Sequence, residues 1–340
     1  MLLVIFGAGA SYDSIPFLAG QNRPDRPPLA NELFDPRPPM MRAWDHYPIV
    51  TPVVPRLQHL ASGDSLESRL SDLAAEAPDY SRRYNLLAAM RYYLQEVIGD
   101  FDQEWYTQSK GVTNYAALID RIERHKKTTG EAVYVTFNYD TLLERAFGTF
   151  GRGIGAVQQY IDGQRPLLIK PHGSVTWGRV IDWHGNDLLD MGAPLNLAGS
   201  VVEKFQKLRV LNDFVWVNRR PPELMQQRFA VLPAIGVPLD SKTDFAECPV
   251  AHIQALQSAL PKVTKLITVG WRANEKHFLE LWHRHAGAEM RGLCVAKNLE
   301  EAAETAQRLS GAGLPGEFDA VDGGFTDFCK SATLDTFLES

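Results

Sequence analysis

Leu2-Leu3-Val4-Ile5-Phe6-Gly7-Ala8-Gly9-Ala10-Ser11 carries the first and strongest structural signal in the chain. A continuous apolar run ended by glycine reads as a strand buried on both faces, the kind found in parallel sheets. Glycines at 7 and 9 permit a tight turn and close backbone approach, so the amides that open the next segment can face a pyrophosphate. The full G-x-G-x-x-G fingerprint needs glycine at 12, where this chain has Tyr12. On these residues alone a plain strand-to-helix turn fits equally well.

Working outward, 21–41 is dense in proline (Pro24, Pro27, Pro28, Pro36, Pro38, Pro39), which precludes a long regular helix and predicts an ordered loop or lid. From about Pro55 to Trp105 apolar residues recur at three- and four-residue spacing, predicting a helical insertion over 51–111. Ala132–Phe137 reads as a second strand and helical TLLERAF follows it, repeating the strand–turn–helix form of the start. A short strand at 166–170 runs into Pro171-His172-Gly173-Ser174. The segment 181–227 is less regular and reads as a second insertion. RFAVLPAIGVP, KVTKLITVGW and RGLCVAK then alternate with helical patterns near 250–260, 274–287 and 298–310. Such alternation predicts an α/β fold, a Rossmann-like parallel sheet built from 1–50, 112–180 and 228–340 and covered by helices.

The composition narrows the function. With 340 residues the chain can bury a sizeable core, and its net charge of −6 with scattered Lys and Arg argues against direct nucleic-acid binding. Cysteine occurs only at 248, 294 and 329, with no C-x-x-C pair, so neither a zinc knuckle nor a disulfide framework is expected. Leu2–Phe6 is too short for a signal h-region and lacks a basic flank, and no apolar stretch approaches membrane-spanning length. A soluble, cytoplasmic protein is expected.

Ligands of open parallel sheets bind beyond the carboxyl ends of the strands. Four distinctive loops fall there: GAGAS at 7–11, TFNYD at 136–140, KPHGS at 170–174 and VGW at 269–271. Asn138, Asp140 and Thr141 can each cap the following helix. His172, after a strand and before glycine, can expose its imidazole for acid–base work. Trp271 can stack on a base or fill the core. His283 and His285, two apart on a helix, face different ways and are not a metal pair.

Taken in order, GAGAS with S-I-P at 14–16, T-F-N-Y-D and K-P-H-G-S resemble the loops of the Sir2 superfamily, which binds NAD. Phe137 stands where the sirtuin deacetylases have glutamine, the DFR continuation is missing, and so is the four-cysteine zinc module. The chain is more similar to the bacterial SIR2-like branch associated with anti-phage defence, whose members degrade NAD. The resemblance implies a Sir2-type sheet without a zinc module and NAD as substrate with no metal. It further implies Asn138 and His172 as catalytic residues, and Gly7, Ala8, Gly9, Ala10, Ser11, Asp140, Gly173 and Gly270 as NAD-binding residues.

The activity this implies is NAD+ glycohydrolysis to nicotinamide and ADP-ribose. ADP-ribosyl transfer, or a non-catalytic sensor or assembly module, remain the alternatives. Relatives of this kind work as homo-oligomers or with a partner such as a HerA-type ATPase or a short Argonaute. Association of the same kind is therefore expected here.

Overall fold

Leu2–Phe6 forms strand β1, and all five side chains are buried, as a strand covered on both faces requires. In this computed structural model, which describes residues 1–21, 23, 25–58, 66–76, 80, 82–182, 194–217, 230–237, 245, 247–287 and 289–340, β1 lies inside a six-stranded parallel sheet. The other strands are β2 (Ala132–Thr136), β3 (Leu167–Ile169), β7 (Lys265–Val269), β8 (Met290–Val295) and β9 (Gly316–Val321). The strands between β3 and β7 in sequence, β4 (Gly173–Asp182), β5 (Arg209–Trp216) and β6 (Val231–Ile235), belong to a separate sheet.

The order β3-β2-β1-β7-β8-β9 places β1 between β2 and β7, with Leu2 opposite both Ala132 and Lys265. The strand order reverses at β1, the topological switch point at which doubly wound sheets bind ligands. Helices at Asn114–Arg124, Leu142–Thr149, Val250–Ala259, Lys276–His285 and Leu299–Gly311 accompany the sheet. Two of them start on side-chain caps: Thr113 accepts from the Ala116 amide, and Asn298 from the Glu301 amide. The core joins Leu3 and Ile5 of β1 to Val133, Val135, Ile169, Leu266, Phe278 and Trp282. Burying each such side chain is worth roughly 1.5–3 kcal/mol.

The chain divides into two compact units. The first takes Met1–Arg26, Trp105–His172 and Lys242–Ser340; the second takes Pro27–Glu104 and Gly173–Ser241. In the second, β4 (Gly173–Asp182) is the centre of a three-stranded antiparallel sheet between β5 (Arg209–Trp216) and β6 (Val231–Ile235). The expected helical segment contains Val54–Gln58, Leu66–Ala75 and the 28-residue helix Arg82–Ser109. Within the second unit that helix is tied to the sheet backbone: the Arg91 guanidinium donates to Ile235 O at 3.0 Å, Tyr92 OH to Val231 O at 2.7 Å and Gln95 Nε2 to Val175 O at 2.9 Å.

Two expectations change. The run at 231–235 does not join the parallel sheet but pairs antiparallel with β4. All five of its residues are buried, and a strand buried on both faces has the same sequence signature in either kind of sheet. The less regular 181–227 segment contains helix Pro194–Lys204 and strand β5 among its described residues. The proline-dense 21–41 segment contains no long helix among its described residues. Pro38 and Pro39 instead start the helix Pro38–His46, where a missing N–H does no harm.

Candidate functional site

The loops after β1, β2, β3 and β7 all belong to the first unit. At the switch point, backbone meets backbone. The Gly9 amide donates to Gly270 O at 3.2 Å, and a Cβ on Gly270 would lie 2.5 Å from Ala10 N, so no side chain fits between the turns. Gly270 also has φ +58, a conformation that favours glycine. Its close approach is thus to the Gly9-Ala10 backbone. The Gly7 amide is taken by Val269 O at 3.0 Å and that of Ala10 by Gly7 O at 2.9 Å, while Ala8 is exposed at the head of the turn.

Asn138 is nearly buried, at 7% exposure, and its Nδ2 donates to Gly7 O and to Ser11 Oγ, each at 2.9 Å, with Tyr115 OH 3.3 Å away. Gly7 O is an acceptor only, so the NH2 end of the amide must face it. The carbonyl end is thereby turned away. Among the described residues no group donates to Asn138 Oδ1.

The groups behind Asn138 form a directed chain of hydrogen bonds. Ser11 Oγ donates its one proton to Asp140 Oδ2 at 2.6 Å, so Tyr115 OH, 2.9 Å from Ser11 Oγ, must be a donor to it. Ser11 then has its proton and both lone pairs in use. It supports Asn138 rather than presenting a free hydroxyl to a phosphate. Asp140 Oδ1 accepts from the Leu142 amide at 3.1 Å, so the carboxylate both braces the turn into the helix Leu142–Thr149, whose N-cap Thr141 makes no side-chain cap bond, and orients the Ser11 end of the chain. Burial, reinforced by the charge of Asp140, pushes the Tyr115 phenol well above its ordinary pKa and keeps it a neutral donor.

His172 follows β3 and is half-buried among aromatic rings. Phe137 lies edge-on at 5.0 Å between centroids, and Tyr139 and His277 lie near-parallel at 6.2 Å each. Phe137 and Tyr139 flank Asn138 in sequence, so one loop touches His172 with its rings and holds Asn138 between them. Gly173, with φ +84, opens β4 in the second unit. Trp271 is buried, stacked on Phe137 at 5.4 Å, with Nε1 donating to Glu275 Oε2 at 2.6 Å, which settles it as core.

The structure therefore brings Gly7, Ser11, Asn138 and Asp140 into one hydrogen-bonded cluster, with Gly270 packed against Gly9 and Ala10. Tyr115, Glu144 and His277 were not signalled by any motif, and Lys170 was legible only as a letter of KPHGS. Tyr115 lies 104 residues from Ser11 in sequence. Among the described residues no group of three or more His, Cys, Asp or Glu is placed to hold a metal ion, and no helix is long and apolar enough to cross a membrane. Burial raises all three thiols, Cys294 to about 11 and Cys329 to about 12.

Residues 132–189 match the family model of the SIR2-like domain. The matched stretch holds both TFNYD and KPHGS, the loops of Asn138 and His172. No curated protein matches the chain. Among solved structures, the chain is similar to a Sir2 homolog crystallised as an NAD complex, at 13% identity and a TM-score of 0.37, over 99% of this chain and 87% of that one. Such a superposition is loose, and the fold stands on the strand order and registers given above.

Proposed function

We propose that the chain is an NAD+ glycohydrolase, cleaving the nicotinamide–ribose bond to give nicotinamide and ADP-ribose. The observation that carries this reading is the fixed Asn138 amide in the loop after β2, whose donor end is spent on Gly7 O and Ser11 Oγ, so that its oxygen is left as the end able to accept from a substrate. The SIR2-like match over 132–189 supports it.

The substrate carries its own leaving group. As the C1′–N bond breaks, the bonding pair goes to the nicotinamide nitrogen and an oxocarbenium-like ribose forms. Water adds its oxygen to C1′ and gives up a proton. Asn138 Oδ1 accepts a hydrogen bond from the ribose hydroxyl or from that water, and the His172 imidazole takes the proton, an acid–base contribution on the order of 10²–10⁴ in rate. The exposed Ala8 end of the glycine turn faces the pyrophosphate, with Gly7, Gly9 and Gly270 leaving room for close backbone approach and Ala10 beside them. Ser11 and Asp140 hold Asn138, and Gly173 lets the chain turn after His172.

In the cell we place this activity in anti-phage defence by NAD depletion, held in check by assembly with further copies or a partner protein. The test is direct: purified protein is incubated with NAD+, and nicotinamide and ADP-ribose are followed by chromatography. Asn138→Ala and His172→Ala are each expected to lower turnover by roughly a hundredfold or more while still folding, His172→Ala with a melting curve close to the parent and Asn138→Ala melting lower because Gly7 O and Ser11 Oγ lose their donor. NAD binding without cleavage, alone and with candidate partners, would instead make this a sensor module.

A further inference from the structure

We propose that Lys170 and Glu144 are positioning residues, a buried ion pair that clamps the loop carrying Asn138 to the strand end carrying His172. The proposal rests on the catalytic reading of those two residues. Lys170 Nζ lies 2.8 Å from Glu144 Oε1, with the two side chains 0% and 3% exposed. The same ammonium donates to the main-chain carbonyl of Asp140. Tyr160 OH donates to Glu144 Oε1 at 2.9 Å.

The placement in sequence gives the clamp its meaning. Lys170 follows β3 directly and precedes His172 by two residues, while Asp140 follows Asn138 by two. Glu144 sits in the first turn of Leu142–Thr149, the helix whose Leu142 amide donates to Asp140 Oδ1. One ammonium, a compact charge with three donors, thus bonds to both sides of the loop that follows β2 and fixes it to the start of the loop that follows β3.

Stability does not account for such a pair. Taking both charges out of water costs several kcal/mol per ion, and a well-packed apolar replacement of a buried pair is often as stable or more so. An apolar pair, however, cannot hold the Asp140 carbonyl. The ion pair fixes a backbone position that hydrophobic packing would leave free to shift, and a displacement of about 1 Å at a reacting group can cost on the order of a hundredfold in rate.

The experiment compares Lys170→Met, the double variant Lys170→Met with Glu144→Leu, and Glu144→Gln. The single Lys170→Met strands a buried carboxylate and is expected to melt well below the parent. The double variant removes both charges and is expected to recover the melting temperature without recovering activity. Its kcat for NAD+ cleavage stays roughly tenfold or more below the parent while KM changes little. Hydrogen exchange in peptides covering 136–142 and 170–172 is expected to speed up in the double variant and in Glu144→Gln, which keeps the shape and the acceptor oxygen.

A double variant with parental kcat and parental exchange overturns the proposal. If the double variant does not fold, parental kcat and exchange in Glu144→Gln overturn it. Should the parent protein fail to cleave NAD+ under any condition, the proposed activity falls, while the exchange measurement still decides whether the pair clamps these loops.

Discussion

At the residue scale, Asn138 offers a sharper test than truncation to alanine. Asn138→Asp keeps the shape of the side chain but puts an oxygen where Nδ2 now donates to Gly7 O and Ser11 Oγ at 2.9 Å. Two acceptors then face each other in a nearly buried place, and the new charge adds to that of Asp140 across Ser11. Loss of the donor is expected to cost about 1–3 kcal/mol of stability, and NAD+ turnover should fall to background. Denaturant unfolding and the chromatographic assay read the two effects separately. A variant as stable as the parent would show that Gly7 O does not need this donor. Asn138 was legible from TFNYD as a candidate site residue. Its orientation was not, because the orienting groups arrive from Gly7, Ser11 and Tyr115, between 23 and 131 residues away.

At the scale of the elements, the glycines on either side of the switch point act as one joint. A Cβ on Gly270 would sit 2.5 Å from Ala10 N and 2.6 Å from Gly9 C, with φ +58 adding strain. Gly270→Ala should therefore push the β1 turn away from β7 and cost about 1–3 kcal/mol, moving Asn138 with it through Gly7 O. A thermal melt paired with the turnover assay checks this, and an unchanged melt would show that the turns can separate freely. The strands that meet here were legible because LLVIF, AVYVT and KLITV are nearly unbroken apolar or β-branched runs. Strand β9 was not, since Gly316–Val321 alternates half-buried and exposed residues, the pattern of a sheet edge. Nor was the second unit, whose two segments are joined by hydrogen bonds 80 to 144 residues apart, such as Gln95 to Val175 and Arg91 to Ile235.

At the scale of the whole molecule, His252 gives stability a pH dependence. Its Nε2 lies 3.1 Å from Val157 O, its ring stacks on Tyr160 at 5.7 Å, and burial lowers its pKa to about 4. Between pH 6.5 and 4 the unfolded chain binds a proton at this position that the folded chain refuses. The contribution is thus fully present above about 6.5 and is lost as pH falls toward 4, on the order of 2–3 kcal/mol across the window. Denaturant midpoints measured at intervals from pH 7 to 4 should decline, and His252→Gln should flatten part of that decline. An equal slope in the variant would assign the effect to other groups.

The three cysteines all fall in the first unit, and the second has none. Cys248 and Cys294 are buried and burial raises both thiols, so after any early reaction of the half-buried Cys329 a thiol-specific reagent at neutral pH has almost nothing to attack until the surrounding structure opens. Labelling kinetics would then act as a clock for one half of the protein only. Opening of the sheet that carries Asn138 and His172 would be recorded without an engineered probe, and movement confined to 27–104 and 173–241 would leave the clock silent.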